Sequence, residues 1–114
     1  MKAESVQRLK MVTIEELLEK QANEEEFALV DTLPEDSFRE GHLPGAVNMP
    51  SDEVAQRAAE ELDKEATIVT YCANYTCQAS TVAAKKLIEL GYANVLDFKA
   101  GKQGWQKAGF ELEK

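Results

Sequence analysis

No stretch of this chain stays apolar for the roughly 18 residues a membrane-spanning helix needs, so no such helix is expected. Positive charge is scarce as well. Against 21 Asp and Glu stand 13 Lys and Arg, and the formal net charge of −8 argues against nucleic acid or an anionic membrane surface as a partner. Histidine occurs once and cysteine twice, too few ligands for a structural zinc site; no metal and no cofactor are expected. The opening residues, Met1 to Arg8, have no apolar core of a signal peptide, which points to the cytoplasm, where thiols stay reduced. In that setting Cys72 and Cys77, close together in sequence, make a poor structural framework and read as chemistry. Repeats, low-complexity tracts and internal linkers are all absent. At 114 residues, 44% of them apolar, the chain suffices for one domain with a core and is too short for two. Residues 1–10 read as a polar N-terminal arm and residues 11–114 as the domain.

The most informative absence is local. From Ala66 to Ala84 no side chain is charged, although 30% of the whole chain is Asp, Glu, Lys or Arg. The first part of this stretch, Thr67-Ile68-Val69-Thr70-Tyr71, has the β-branched and aromatic composition of a buried strand. Its last part opens a helix that runs through Leu87 and Leu90 and stops at Gly91. Between them lies the loop Cys72-Ala73-Asn74-Tyr75-Thr76-Cys77-Gln78-Ala79, followed by Ser80. A thiol at the end of a strand, just ahead of a helix N-terminus, sits where backbone N–H groups and the helix dipole favour an anion. Such a setting lowers a cysteine pKa and enriches the reactive thiolate. Cys72 is the candidate nucleophile on this ground.

The rest of the chain reads as a frame for that loop. Met11-Val12 is a short entry strand. Thr13 with Glu16 has the capping-box pattern, and Ile14, Leu17 and Leu18 give its helix an apolar face. Phe27 to Asp31 is an apolar strand closing on an acid, and Gly41-His42-Leu43-Pro44-Gly45 is turn chemistry leading into a strand over Ala46 to Met49. Ser51 is placed to cap a helix carrying Val54, Ala58 and Leu62 on one stripe. Val95 to Phe98 is the last strand, with a short final helix around Trp105. This alternation of strands and helices with short connections predicts an α/β fold, a parallel sheet with helices on both faces. Ligands of such sheets bind at the C-terminal strand ends, where Cys72 lies.

Three segments, Leu29-Val30-Asp31 with Gly41 to Asn48, Ile68 to Cys72 with the helix from Ser80 to Leu90, and Gly91 to Val95 through Gly101 and Trp105 to Gly109, resemble the rhodanese-like domain family. The resemblance implies a single domain with a five-stranded parallel sheet, Cys72 as nucleophile, and sulfur transfer through a cysteine persulfide. A sulfur donor (thiosulfate, polysulfide or persulfide) and a thiol or protein acceptor are the partners it implies. The loop residues Ala73, Asn74, Tyr75, Thr76, Cys77, Gln78, Ala79 and Ser80 would then cradle the anionic sulfur with main-chain N–H groups.

This loop is two residues longer than the family's usual six and lacks its common glycine. It has no arginine, and Ala100-Gly101 stands where the family has paired glycines. Lys99 and Lys102, on the last strand-to-helix connection, would supply charge at the mouth. Cys77 is either a packing residue or a resolving thiol that attacks the Cys72 persulfide. Asp31 is expected to order nearby backbone N–H groups, and His42 to belong to a structural turn. Gln78 stands six positions after Cys72, where phosphatases and arsenate reductases of related fold need the guanidinium fork of an arginine, so that chemistry is disfavoured. The other alternative is a binding or redox-sensing module using a reversible Cys72–Cys77 disulfide without sulfur transfer.

Overall fold

The computed structural model describes residues 9–114. In chain order it contains β1 (Lys10–Met11), α1 (Ile14–Ala22), β2 (Ala28–Asp31), α2 (Glu35–Glu40) and β3 (Val47–Asn48). A 3₁₀ turn (Ser51–Glu53) runs into α3 (Val54–Glu61), followed by β4 (Thr67–Tyr71), α4 (Ala79–Glu89), β5 (Asn94–Phe98) and α5 (Gly101–Lys107). The five strands form one sheet in the order β1-β5-β4-β2-β3, every pair parallel. The expected N-terminal arm lies outside the described residues except for Leu9 and Lys10, and Lys10 already pairs with Leu96 of β5.

Period-two alternation along the strands divides the apolar residues between two faces. Val30, Ile68 and Val95 pack with Val54 and Ala58 of α3 and Ala83, Ala84 and Leu87 of α4. Leu29, Val69, Tyr71 and Phe98 pack on the other face with Leu17 of α1 and Trp105 of α5. Because Tyr71 faces the α1/α5 side, the next residue, Cys72, is turned toward α4. The sheet thus aims the thiol at a helix N-terminus.

The capping box of α1 is formed, with Glu16 N–H donating to Thr13 Oγ1 at 3.1 Å and Thr13 N–H to Glu16 Oε1 at 2.9 Å. Ser51 does not act as the expected cap. Pro50 takes the cap position of the 3₁₀ turn, no side chain caps it, and the Ser51 N–H donates instead to Thr32 O at 3.1 Å. The last helix begins earlier than Trp105 suggests, at Gly101, because its first free amides are taken up by the Cys72 loop.

A buried polar bridge ties the Gly41-to-Gly45 turn to the central strands. Leu43 N–H donates to Tyr71 Oη at 3.0 Å, and Tyr71 O–H donates to Asp31 Oδ2 at 2.8 Å. Burial pushes the Tyr71 phenol well above its ordinary range, with the nearby Asp31 charge adding to the effect, so it stays a neutral donor. Tyr71→Phe leaves a buried N–H and a buried carboxyl each short of a partner. It is expected to cost about 1–3 kcal/mol in urea denaturation, whereas an unchanged midpoint would mean that water or a shifted side chain replaces the hydroxyl.

Candidate active site

Cys72 follows directly on β4 and is fully buried. Its Sγ lies 3.4 Å from the Cys77 carbonyl oxygen and 3.4 Å from Ser80 Oγ, in the first turn of α4. No side chain caps α4, whose cap position is held by Gln78, so its first amides stay available. The Ser80 N–H faces the Cys72 sulfur, and the Ala79 N–H faces that of Cys77. Thr70 Oγ1, donating to Ser80 O at 3.2 Å, fixes this turn against the sheet.

The loop does not turn all of its N–H groups toward Cys72, as the family resemblance implied it would. Asn74 is the reason. Its Oδ1 accepts from the N–H of Thr76 at 3.1 Å and of Cys77 at 3.2 Å, and from Thr76 Oγ1 at 2.8 Å. An asparagine side chain bonding the backbone two residues on is a local turn, and it withdraws those amides from the sulfur. On the opposite side, Lys102 N–H donates to Cys72 O and Gln103 N–H to Ala73 O, both at 2.9 Å. With the carbonyls of Cys72 and Ala73 held toward α5, planar trans peptides turn the amides of Ala73 and Asn74 the other way, into the loop.

The two thiols are therefore unequal. Contrary to the lowering expected ahead of a helix N-terminus, burial pushes the Cys72 thiol up, and its hydrogen bond to Cys77 adds to that, against the Ser80 hydroxyl and amide. Half-buried Cys77 also suffers desolvation, but hydrogen bonds from Cys72 and from the amides of Ala73 and Ala79, together with the Lys99 charge, bring it below the ordinary thiol range. Lys99 Nζ donates to Cys77 O at 3.0 Å and to Thr81 Oγ1 at 3.1 Å. Lys102, expected beside it at the mouth, sends its ammonium to Ser37 O at 2.7 Å and meets the loop only through its main chain.

A family model for the Rhodanese-like domain matches residues 13–108. The chain belongs to the rhodanese-like domain family. It is similar to the HTH-type transcriptional regulator Rv0324 of Mycobacterium tuberculosis, 34% identical over 77% of this chain and 38% of that protein. A protein of Allochromatium vinosum named Sulfurtransferase is 28% identical over 86% of this chain and 89% of its own length. Among solved structures, BH2092 protein from Bacillus halodurans superposes with a TM-score of 0.84 at 28% identity, over 91% of this chain and 76% of that one. The chain spans only 19% to 58% of the length of the curated relatives that it matches at 32–34% identity.

The remaining residues of this rhodanese-like domain fall into place around the loop. Asp31 accepts from Leu33 N–H at 2.9 Å and from Tyr71; burial raises its pKa, opposed by these hydrogen bonds and by the charges of Lys102 and His42. His42 is engaged in the turn, its Nδ1 3.0 Å from Phe38 O and its ring stacked on Phe38 at 3.9 Å. Gln78 is exposed at the start of α4. Sequence reasoning missed Thr81 and Asp97. Buried Asp97 accepts from Thr81 Oγ1 at 2.9 Å and so anchors the hydroxyl on which Lys99 rests. The one available signal was a lone acid in the apolar run Val95-Leu96-Asp97-Phe98.

The inequality of the thiols has a direct readout. Iodoacetamide in a pH series is expected to label Cys77 at lower pH than a free thiol and Cys72 only at higher pH, since the thiolate is the reacting form. Peptide mapping that found Cys72 labelled first would reverse the assignment of the two environments.

Proposed function

We propose that this domain is a sulfurtransferase or sulfane-sulfur carrier that forms a persulfide on Cys72 and passes the sulfur to a thiol or protein acceptor. One observation carries this reading: Cys72 Sγ stands at the carboxyl end of the central strand, against the Ser80 hydroxyl and amide at the uncapped N-terminus of α4. Membership of the rhodanese-like family and the name of the Allochromatium relative support it. Among the described residues no helix is long and apolar enough to cross a membrane, and we place the protein in the cytoplasm, where its free thiols would stay reduced.

The chemistry follows from the Cys72 thiol. As Cys72 Sγ attacks the sulfane sulfur of a donor, its proton passes to solvent. The bond between the sulfane sulfur and the rest of the donor breaks, and with thiosulfate sulfite departs. The resulting Cys72–S–S⁻ keeps one negative charge, which the Ser80 N–H and O–H and the α4 dipole stabilise. Because Cys72 is fully buried, the donor reaches it only when the outer part of the loop, Asn74 to Thr76, moves aside. Tyr75 at its tip is 67% exposed, so little apolar packing opposes the movement.

Intact-mass analysis after incubation with thiosulfate, polysulfide or 3-mercaptopyruvate tests the reading. A gain of one sulfur on Cys77→Ser that an added thiol removes is the expected result. No gain on wild type or on Cys77→Ser with any donor, together with a reversible loss of two hydrogens from wild type on oxidation, would favour the redox module, which the contact between the thiols also permits.

A further inference from the structure

Cys77 is not needed to make a persulfide on Cys72, yet it stands against that sulfur in the structure. Its carbonyl oxygen lies 3.4 Å from Cys72 Sγ, and the same carbonyl is gripped by Lys99 Nζ at 3.0 Å. Lys99 is itself held on Thr81 at 3.1 Å, and Thr81 on buried Asp97 at 2.9 Å. The Asn74 side chain, bonded to the Cys77 N–H at 3.2 Å, fixes the residue from its other side. Four residues separate the cysteines, enough to close a disulfide ring once the Cα atoms come within about 4.4–6.8 Å.

We propose that Cys77 is a resolving thiol that discharges the Cys72 persulfide as hydrosulfide and leaves a Cys72–Cys77 disulfide. This rests on the persulfide reading above. In the step, Cys77 Sγ attacks the inner sulfur, Cys72 Sγ. A bond forms between the two cysteine sulfurs and the bond to the outer sulfur breaks. The Cys77 proton leaves with the outer sulfur as HS⁻: Cys72–S–S⁻ plus Cys77–SH gives the disulfide plus HS⁻, with charge and atoms conserved. The outer sulfur gains the two electrons that the cysteine pair loses. A dithiol reductant then restores both thiols.

Attack by Cys77 on the outer sulfur instead would expel a Cys72 thiolate while the closed loop still buries it, unlike transfer to an external acceptor with the loop moved aside, whereas hydrosulfide is small and diffuses out. Holding both sulfurs in one loop makes the attack intramolecular, with the large effective concentration that implies. The domain then acts as a sulfide-releasing reductase of sulfane sulfur whenever no external acceptor arrives first. In the oxidised state it cannot accept more sulfur.

The test follows persulfide-loaded protein in the absence of any added thiol, comparing wild type with Cys77→Ser and Cys77→Ala. Wild type is expected to lose the added sulfur, release about one equivalent of hydrosulfide per chain and finish two hydrogens lighter than the reduced protein. Both variants are expected to load sulfur and then keep it, releasing hydrosulfide at least about tenfold more slowly. Loaded wild type that keeps its sulfur as long as the variants do would overturn the resolving role while leaving the persulfide reading intact. Failure of all three proteins to load would overturn the persulfide reading itself. A sulfur found on Cys77 by peptide mapping, with no disulfide, would show transfer of the outer sulfur and would equally overturn the proposal.

Discussion

Cys72→Ser is expected to abolish sulfur loading with every donor while leaving the fold in place. The hydroxyl is smaller than the thiol but finds the same partners: Cys77 O and Ser80 Oγ both lie 3.4 Å from the present sulfur. A polar replacement in a polar pocket costs about 1 kcal/mol or less, since no buried donor is left unpaired. The chemical loss is of another order. An oxygen there offers no thiolate to attack sulfane sulfur, and loss of an activated nucleophile lowers rates by at least about a thousandfold. Mass spectrometry and circular dichroism on one sample separate the two effects. An added sulfur surviving in Cys72→Ser would move the nucleophile to Cys77, and an unfolded spectrum would make Cys72 a packing residue.

The strands were readable because each is a short apolar run bounded by turn residues, and their alternation with helices leaves few topologies. The same holds for the Thr13–Glu16 box and for the place of Cys72, directly after a strand and ahead of a helix within the one long uncharged stretch. What the chain order hides is how side chains are apportioned. Nothing local announces that Asn74 takes the amides of Thr76 and Cys77, because that depends on the loop backbone. Hence the expected closed cradle around Cys72 gives way to a site with two unlike thiols. Lys99 and Lys102 look equivalent in sequence, yet one grips the loop and the other reaches Ser37, 65 residues away. Ser51 departs from its expected capping role for a related reason, its N–H being claimed by Thr32 on a neighbouring segment. Gly101 and Gly104 also masked the start of α5, whose first amides are bound by the Cys72 loop.

Gly101→Ala is expected to destabilise the domain by about 2–5 kcal/mol and to depress sulfur loading in whatever folded protein remains. Gly101 adopts φ +60, a left-handed conformation that costs an L-residue about 1–2 kcal/mol. A Cβ there would also overlap the Cys72 carbonyl oxygen and come within 2.9 Å of Cys72 C and 3.0 Å of Ala73 C. These are backbone atoms and cannot rotate away, so overpacking adds about 1–3 kcal/mol. Against the usual margin of about 5–15 kcal/mol the sum is large.

The functional effect has a separate cause. Moving α5 back to relieve the overlap breaks the Lys102 and Gln103 N–H bonds to Cys72 O and Ala73 O, and with them the orientation of the amides that face into the loop. Gly109 supplies the control, because it has φ +99 but no atom within 4 Å of an added Cβ. Gly109→Ala should therefore cost only the backbone strain, about 1–2 kcal/mol, and load sulfur like wild type. Urea denaturation of both variants beside a loading assay gives the comparison. Equal losses of stability, or unimpaired loading in Gly101→Ala, would mean that the contact between α5 and the Cys72 loop does not hold the site in shape.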